Sequence, residues 1–154
     1  CPTHDADAPV EVLPLGVDGT RVGDFLERVR GHLGAEAVVE ASNDLLAALD
    51  CPKCNEREDV WTSLGRVTEE QARCPQCGEI RVPHTVHTID DGLPVLDRRL
   101  FEIGVPPWDV LAGRRGFEQR FYEFAGDYET VLGPDLAAAM EDGLEEIEDA
   151  AAGN

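Results

Sequence analysis

Cys51-Pro52-Lys53-Cys54 and, across nineteen intervening residues, Cys74-Pro75-Gln76-Cys77-Gly78 decide how this 154-residue chain is read. Two Cys-x-x-Cys pairs joined by a short segment carry the ligand set of a four-thiolate metal site. The spacing follows from a turn. Two residues between the cysteines let one tight knuckle aim both sulfurs at a single ion from the same side. Proline after the first cysteine presets φ for that turn. The position after the second cysteine calls for a positive φ, which suits Gly78 and is tolerable for Asn55. Two facing knuckles close a tetrahedron with no position left for water or substrate, so Cys51, Cys54, Cys74 and Cys77 are expected to hold one structural Zn2+ rather than a catalytic one.

Other uses of four cysteines fit less well. Cys-Pro-x-Cys closes poorly into a disulfide within itself, and no secretory pattern is visible. A thioredoxin-like redox motif needs a single pair opening a helix after a strand. Here the second knuckle runs into Glu79-Ile80-Arg81-Val82, a strand pattern. Iron in a rubredoxin-type centre takes similar knuckles, and the ligands by themselves admit it.

Outward from the knuckles the pattern alternates. Ala37 to Glu40 reads as a strand, Ser42-Asn43-Asp44 as a turn, and Leu45 to Leu49 as a second strand delivering the chain to the first knuckle. Val60 to Val67 reads as another strand, with Trp61 expected as a lid over the metal's apolar surroundings. Thr68 to Arg73 turns into the second knuckle, and a long strand follows from Glu79 to Ile89. Strand, knuckle, strand, knuckle, strand is the order of a zinc ribbon. Pro83 marks that last strand as an edge or a break. His84 and His87, three apart in a strand, face opposite sides and so do not form a joint metal pair.

Upstream, Val22, Phe25, Leu26, Val29 and Leu33 share one helical face, with Thr20 as candidate N-cap and Gly34 at the C′ position. His32, in the last turn, reads as a partner of the helix dipole. Downstream, Leu96, Leu100 and Ile103 suggest a second helix over 95–103, ended by Gly104. Val105-Pro106-Pro107 is a rigid link. Trp108 to Arg115 and a segment ending at Ala125 read as two strands joined through Gly116. Gly133-Pro134-Asp135 opens a last segment with Leu136, Met140, Leu144 and Ile147 in a stripe.

The expected fold is therefore α+β: an N-terminal helix on a zinc ribbon, then a small βαββ-like module, then an acidic helical or disordered tail. The corresponding divisions are 1–19 as an N-terminal segment, 20–90 as helix plus ribbon, 91–130 as the small module and 131–154 as the tail. Cys1 stands where a Met would open a chain, so 1–19 reads as processed or cut from an upstream domain. Cys1 and His4 have metal-ligand spacing, but half of such a site is missing.

Charge narrows the function. The net charge is −19, which repels phosphate backbones and argues against nucleic acid as a partner. Residues 134–154 hold seven acidic side chains and no basic one. Lys53, inside a knuckle, is the only lysine, so no catalytic lysine is expected. The pairs Arg98-Arg99 and Arg114-Arg115 form a small basic spot or pair with local acids. No apolar run reaches the roughly 18 residues of a membrane helix, so no membrane is expected as partner, and reduced thiols point to the cytoplasm.

Several stretches together resemble a known region. These are the two knuckles, Val86-His87-Thr88-Ile89-Asp90, Leu100-Phe101-Glu102-Ile103-Gly104-Val105-Pro106-Pro107-Trp108-Asp109-Val110-Leu111, and Tyr122-Glu123-Phe124-Ala125-Gly126-Asp127. The region is the carboxy-terminal extension of some prokaryotic ThiF/MoeB-type adenylyltransferases, relatives of ubiquitin-activating enzymes. The resemblance covers about residues 10–130. It implies a system that adenylates the carboxy-terminal glycine of a ubiquitin-like or sulfur-carrier protein. The Gly-rich nucleotide loop of such enzymes has no match here, so the resemblance carries over no catalytic residue and no nucleotide-binding residue. What it implies for this chain is a non-catalytic accessory region facing an adenylation domain or a ubiquitin-like protein. A free-standing zinc-ribbon adaptor is one alternative. Another is a part of an enzyme in adenylate or thioester transfer, with Cys1 as acceptor.

Overall fold

The computed structural model describes residues 10–126. Six strands and one α-helix account for most of them: β1 (Val10–Gly16), α1 (Val22–Leu33), β2 (Val38–Asp50), β3 (Arg57–Ser63), β4 (Val82–Ile89), β5 (Val110–Arg115) and β6 (Glu118–Ala125). All six strands belong to one mixed sheet, so the fold is α+β with β dominant. No helix among the described residues is long and apolar enough to cross a membrane. Cys1, His4 and the acidic tail lie outside the described residues.

β2 is the shared strand. At thirteen residues it is long enough to serve two groups of partners. Its first residues pair with β5, Val38 to Arg114 through Glu40 to Ala112. Its last residues pair with β3, Leu45 to Ser63 through Asp50 to Arg57. β4 runs along its opposite edge, from Val39 against Ile89 to Asp50 against Val82. β6 joins β5 through the tight turn at Gly116, whose φ is 60°. β1 completes the order by lying parallel to β6, Val10 opposite Phe121. Pro83, which has no N–H to donate, sits on β4, whose partner in the sheet is β2. That edge position is what its missing donor requires.

The expected turn at Ser42-Asn43-Asp44 is not a reversal. Both flanks of this segment pair with the same strand, and the register against β4 jumps from Glu40/Thr88 to Leu45/Val86. Extra residues on one strand of an antiparallel pair make a bulge. The polar trio is extruded there, with Ser42 Oγ donating to Asp109 Oδ2 at 2.7 Å. The two short strands expected over 37–40 and 45–49 are one.

α1 covers one face of the β2–β5–β6 region. Val22, Phe25, Leu26 and Val29 are buried, and Phe25 meets Tyr122 and Phe124 of β6 edge-on, with ring centroids 5.3 and 4.9 Å apart. Gly113 of β5 makes room for it, because a Cβ there would come 2.5 Å from Val29 Cγ1. A helix resting on the zinc ribbon is thus not what the chain forms. The aromatic partners that fit the Phe25 face are on β6, far along the sequence, and sequence proximity to the knuckles does not decide the packing. Burial of each such large side chain contributes roughly 1.5–3 kcal/mol.

The second helix, expected over 95–103, shrinks to a single 3₁₀ turn, Phe101–Ile103. Nine residues are marginal for an isolated helix, and the backbone of this segment is used elsewhere. Arg98 and Leu96 accept hydrogen bonds from the N–H groups of Val22 and Gly23, and Leu100 N–H donates to Thr20 O. These carbonyls satisfy the first turn of α1, so the Thr20 side chain is not its cap. Arg21 holds the N-cap position, and Thr20 Oγ1 donates to Gly16 O. Gly34 and Gly104 do end their elements as expected, with φ of 105° and 102°. Val95, Leu100 and Ile103 are buried although none is in an α-helix. The expected strand Val60 to Val67 is shifted: β3 ends at Ser63 and Leu64–Arg66 is a 3₁₀ turn.

β1 is pinned to α1 and β6 by charge. Glu11 accepts from Arg28 Nη2 at 2.6 Å and faces Arg120 Nη2 at 3.2 Å. His32 Nδ1 lies 2.8 Å from Tyr122 Oη and 3.6 Å from Glu11. The Arg28 hydrogen bond, with the neighbouring positive charges, holds the Glu11 carboxyl below its ordinary 4.5. A carboxyl with a lowered folded value contributes stability that is full above the ordinary value and disappears as pH falls through the folded one. Glu11→Gln is therefore expected to lose up to about 1 kcal/mol at neutral pH, and to differ progressively less from wild type below pH 4.5. Urea unfolding of both proteins between pH 3 and 7 checks this. A constant difference across the range contradicts it.

Candidate metal centre

The C-terminal half of β2 delivers Cys51, β3 leads away from Cys54, and β4 begins soon after Cys77, so one end of the three-stranded portion β3–β2–β4 carries both knuckles. The knuckles are built alike. In the first, Cys51 N–H donates to Glu56 O at 2.8 Å and Asn55 N–H to Cys51 O at 2.9 Å. In the second, Cys74 N–H donates to Glu79 O and Gly78 N–H to Cys74 O, both at 2.8 Å. Asn55 and Gly78 have φ of 57° and 73°, the left-handed turn that the spacing calls for. Gln76 of the second knuckle donates its side-chain amide to Glu56 below the first.

The four sulfurs converge. Cys51, Cys54, Cys74 and Cys77 place them within 4.8 Å of one another, with Cys51 to Cys77 at 3.6 Å and Cys54 to Cys74 at 4.0 Å. Four thiolates around one ion at about 2.3 Å form a tetrahedron with edges of about 3.8 Å, the value these two separations bracket. A disulfide needs about 2.05 Å, and all four cysteines are free. The donor set therefore fits a single metal ion. Cys51 and Cys74 are buried and their knuckle partners half-buried, which leaves little access for water to a metal held between them.

Electrostatics say the same. The N–H of Cys54 points at Cys51 Sγ from 3.3 Å and is the main cause that lowers the Cys51 thiol to about 7. Cys54 is pushed up to about 12, first by its hydrogen bond with Cys77 and then by burial. Four sulfurs this close cannot all ionise without a cation among them. A divalent ion held there would take the place of the shared protons and let all four become thiolates.

The remaining candidates fall elsewhere. His84 Nε2 contacts Asp50 Oδ2 at 2.6 Å and His87 Nδ1 contacts Asp44 Oδ1 at 3.3 Å, so each histidine has its own carboxylate. Among the described residues, the four cysteines are the only group placed to hold a metal. Trp61 is not a lid over the metal. It lies in the main hydrophobic core with Val95, Leu100 and Ile103, a cluster in which none of the cysteines takes part. Its φ of 50° turns the strand there, a feature no side-chain pattern announces. Arg114 pairs with Glu40 at 3.0 Å and Arg115 with Glu118 at 3.7 Å, while Arg99 donates to Asp18 O at 2.7 Å. Sequence reasoning overlooked Arg81, whose side chain is only 8% exposed. No break in pattern announces it, because Arg81 takes a polar place in the alternation Glu79-Ile80-Arg81-Val82 and lies just before β4. No protein-family model, curated protein or solved structure matches this chain.

Proposed function

We propose that the chain is a non-catalytic zinc-binding accessory region: a zinc ribbon whose single structural Zn2+ fixes the fold and presents a surface to a protein partner. The observation that carries this reading is the convergence of four sulfurs from two knuckles of identical hydrogen-bonding pattern. A site filled by four thiolates leaves the ion no open position, so the metal orders the chain and activates nothing. Zinc suits the ligand set and needs no redox partner. The resemblance to ThiF/MoeB-type extensions makes an adenylation domain or a ubiquitin-like protein the partner to try first.

Support for the non-catalytic part comes from the arginines. Activating a carboxylate with ATP needs donors around the phosphates. Arg99, Arg114 and Arg115 are each engaged within the fold, and an overall charge of −19 opposes a tetra-anion. In an ATP–pyrophosphate exchange assay, with or without a ubiquitin-like protein, the isolated chain is expected to stay at background. Exchange above background that is lost in an Arg114→Ala, Arg115→Ala double variant overturns the reading.

A further inference from the structure

Arg81 is the least exposed charged side chain among the described residues, and it sits four positions after the last cysteine. Its backbone N–H donates to Ala72 O at 2.8 Å, and the adjacent Arg73/Ile80 bridge zips the two arms leading into and out of the second knuckle. Its guanidinium reaches in two directions. Nη2 donates to the carbonyl of Gln71, on the incoming arm, and Nη1 to the carboxylate of Glu58, on β3. β3 is the strand that leaves the first knuckle. One side chain therefore ties the base of the second knuckle to the strand of the first.

We infer that Arg81 is a positioning residue for the metal centre: its guanidinium fork latches the two knuckles at the separation that one ion requires. This rests on the metal reading above. The argument is geometric. The segment 67–81 between β3 and β4 contains turns and one isolated bridge but no strand in the sheet. Besides chain connectivity and the contacts among the four sulfurs themselves, the second knuckle is joined to the strand and loop of the first by Arg81 and by the Gln76–Glu56 hydrogen bond. A planar fork can satisfy a carbonyl and a carboxylate at once, which an ammonium cannot do in the same geometry. The cost of breaking the latch falls on the guanidinium, a buried charge that would be left without acceptors, since Glu58 and Gln71 are exposed and can turn to water. Among the described residues no hydrogen bond joins Arg81 to a cysteine, so its effect on the metal runs through the position of the knuckle.

The test uses the whole chain, reduced and loaded with Co2+, whose visible absorption reports a tetrahedral four-thiolate shell. Wild type, Arg81→Met, Arg81→Lys, Glu58→Gln and Arg73→Gln are compared for that spectrum and for the rate of Co2+ loss to a chelator. Arg81→Met is expected to keep the wild-type spectrum and to release the ion roughly tenfold faster, the scale on which supporting residues act on metal sites. Arg81→Lys is expected to rescue this only in part. Glu58→Gln is expected to speed release less, at a residue exposed enough that folding is not at risk. Arg73→Gln, which removes a charge from the same arm but not the latch, should release like wild type. Arg81→Met and Glu58→Gln releasing at the wild-type rate, or Arg81→Lys matching wild type, overturn the latch while leaving the metal centre intact. A wild-type chain that takes up no Co2+ overturns the metal reading and the latch with it.

Discussion

Cys51→Ser or Cys74→Ser is expected to abolish tight metal binding and to unfold the distal ribbon, residues 50–82, while the rest of the sheet persists. A serine hydroxyl does not ionise near neutral pH and cannot stand in for a thiolate. Structural zinc in small domains supplies apparent binding free energies of about 10–16 kcal/mol, and that is folding free energy for whatever it orders. The distal ribbon has little else. Apart from Cys51 and Cys74, the buried residues from 50 to 82 are Trp61, which belongs to the main core, and Arg81. Ordering the backbone costs about 1–2 kcal/mol per residue, and hydrogen bonds in two knuckles do not offset that. The other half of the molecule is different. Tyr122, Phe124, Phe25, Leu111 and Val39 are fully or almost fully buried around α1 without the knuckles. Hydrogen exchange should therefore lose protection over 50–60 and 70–82 in the variant and keep it in α1, β5 and β6. Unchanged protection across 50–82 contradicts the coupling.

Gly104→Ala is expected to destabilise the protein by roughly 3–5 kcal/mol, as the sum of backbone strain and overpacking. Gly104 has a φ of 102°, and a Cβ on it would lie 2.0 Å from Ser63 N and 2.4 Å from the Thr62 carbonyl carbon. Both obstacles are backbone. They cannot retreat, because Thr62 and Ser63 are in register with Leu46 and Leu45 of β2 and Trp61 beside them is fixed in the core. Gly116→Ala provides the comparison. Its φ is 60° and a Cβ there meets nothing within 4 Å, so strain alone remains, about 1 kcal/mol. Denaturant midpoints of the two variants measure the difference. Equal losses would mean that the approach of Gly104 to β3 is not a constraint on the fold.

The four-cysteine cluster was legible because its signals are local. Cysteine spacing, the proline after each first cysteine and the residue suited to positive φ after each second one all lie within five-residue windows, and the structure brings the four sulfurs together with positive φ at Asn55 and Gly78. The helix Val22–Leu33 and the hairpin through Gly116 were legible for the same reason: periodicity and a turn residue suffice. What could not be read depends on partners far along the chain. β1 carries Pro14 and a mixed pattern, and it becomes a strand because β6, more than one hundred residues on, offers a parallel edge. Ser42-Asn43-Asp44 has turn chemistry, yet β4 spans both its flanks and converts the turn to a bulge. Leu96, Leu100 and Ile103 have helical spacing, but the carbonyls nearby are taken by the first turn of α1. Local signals stood where the backbone satisfied itself and failed where a distant segment claimed its hydrogen bonds.

The claim on which everything else depends is that Cys51, Cys54, Cys74 and Cys77 close around one ion. X-ray absorption at the zinc edge, on protein purified under reducing conditions and assayed for metal content, tests it most directly. The expected result is one zinc per chain with four sulfur neighbours at about 2.3 Å and no lighter atom in the shell. A nitrogen or oxygen neighbour, iron in place of zinc, or a folded chain holding well under one equivalent of metal would contradict it.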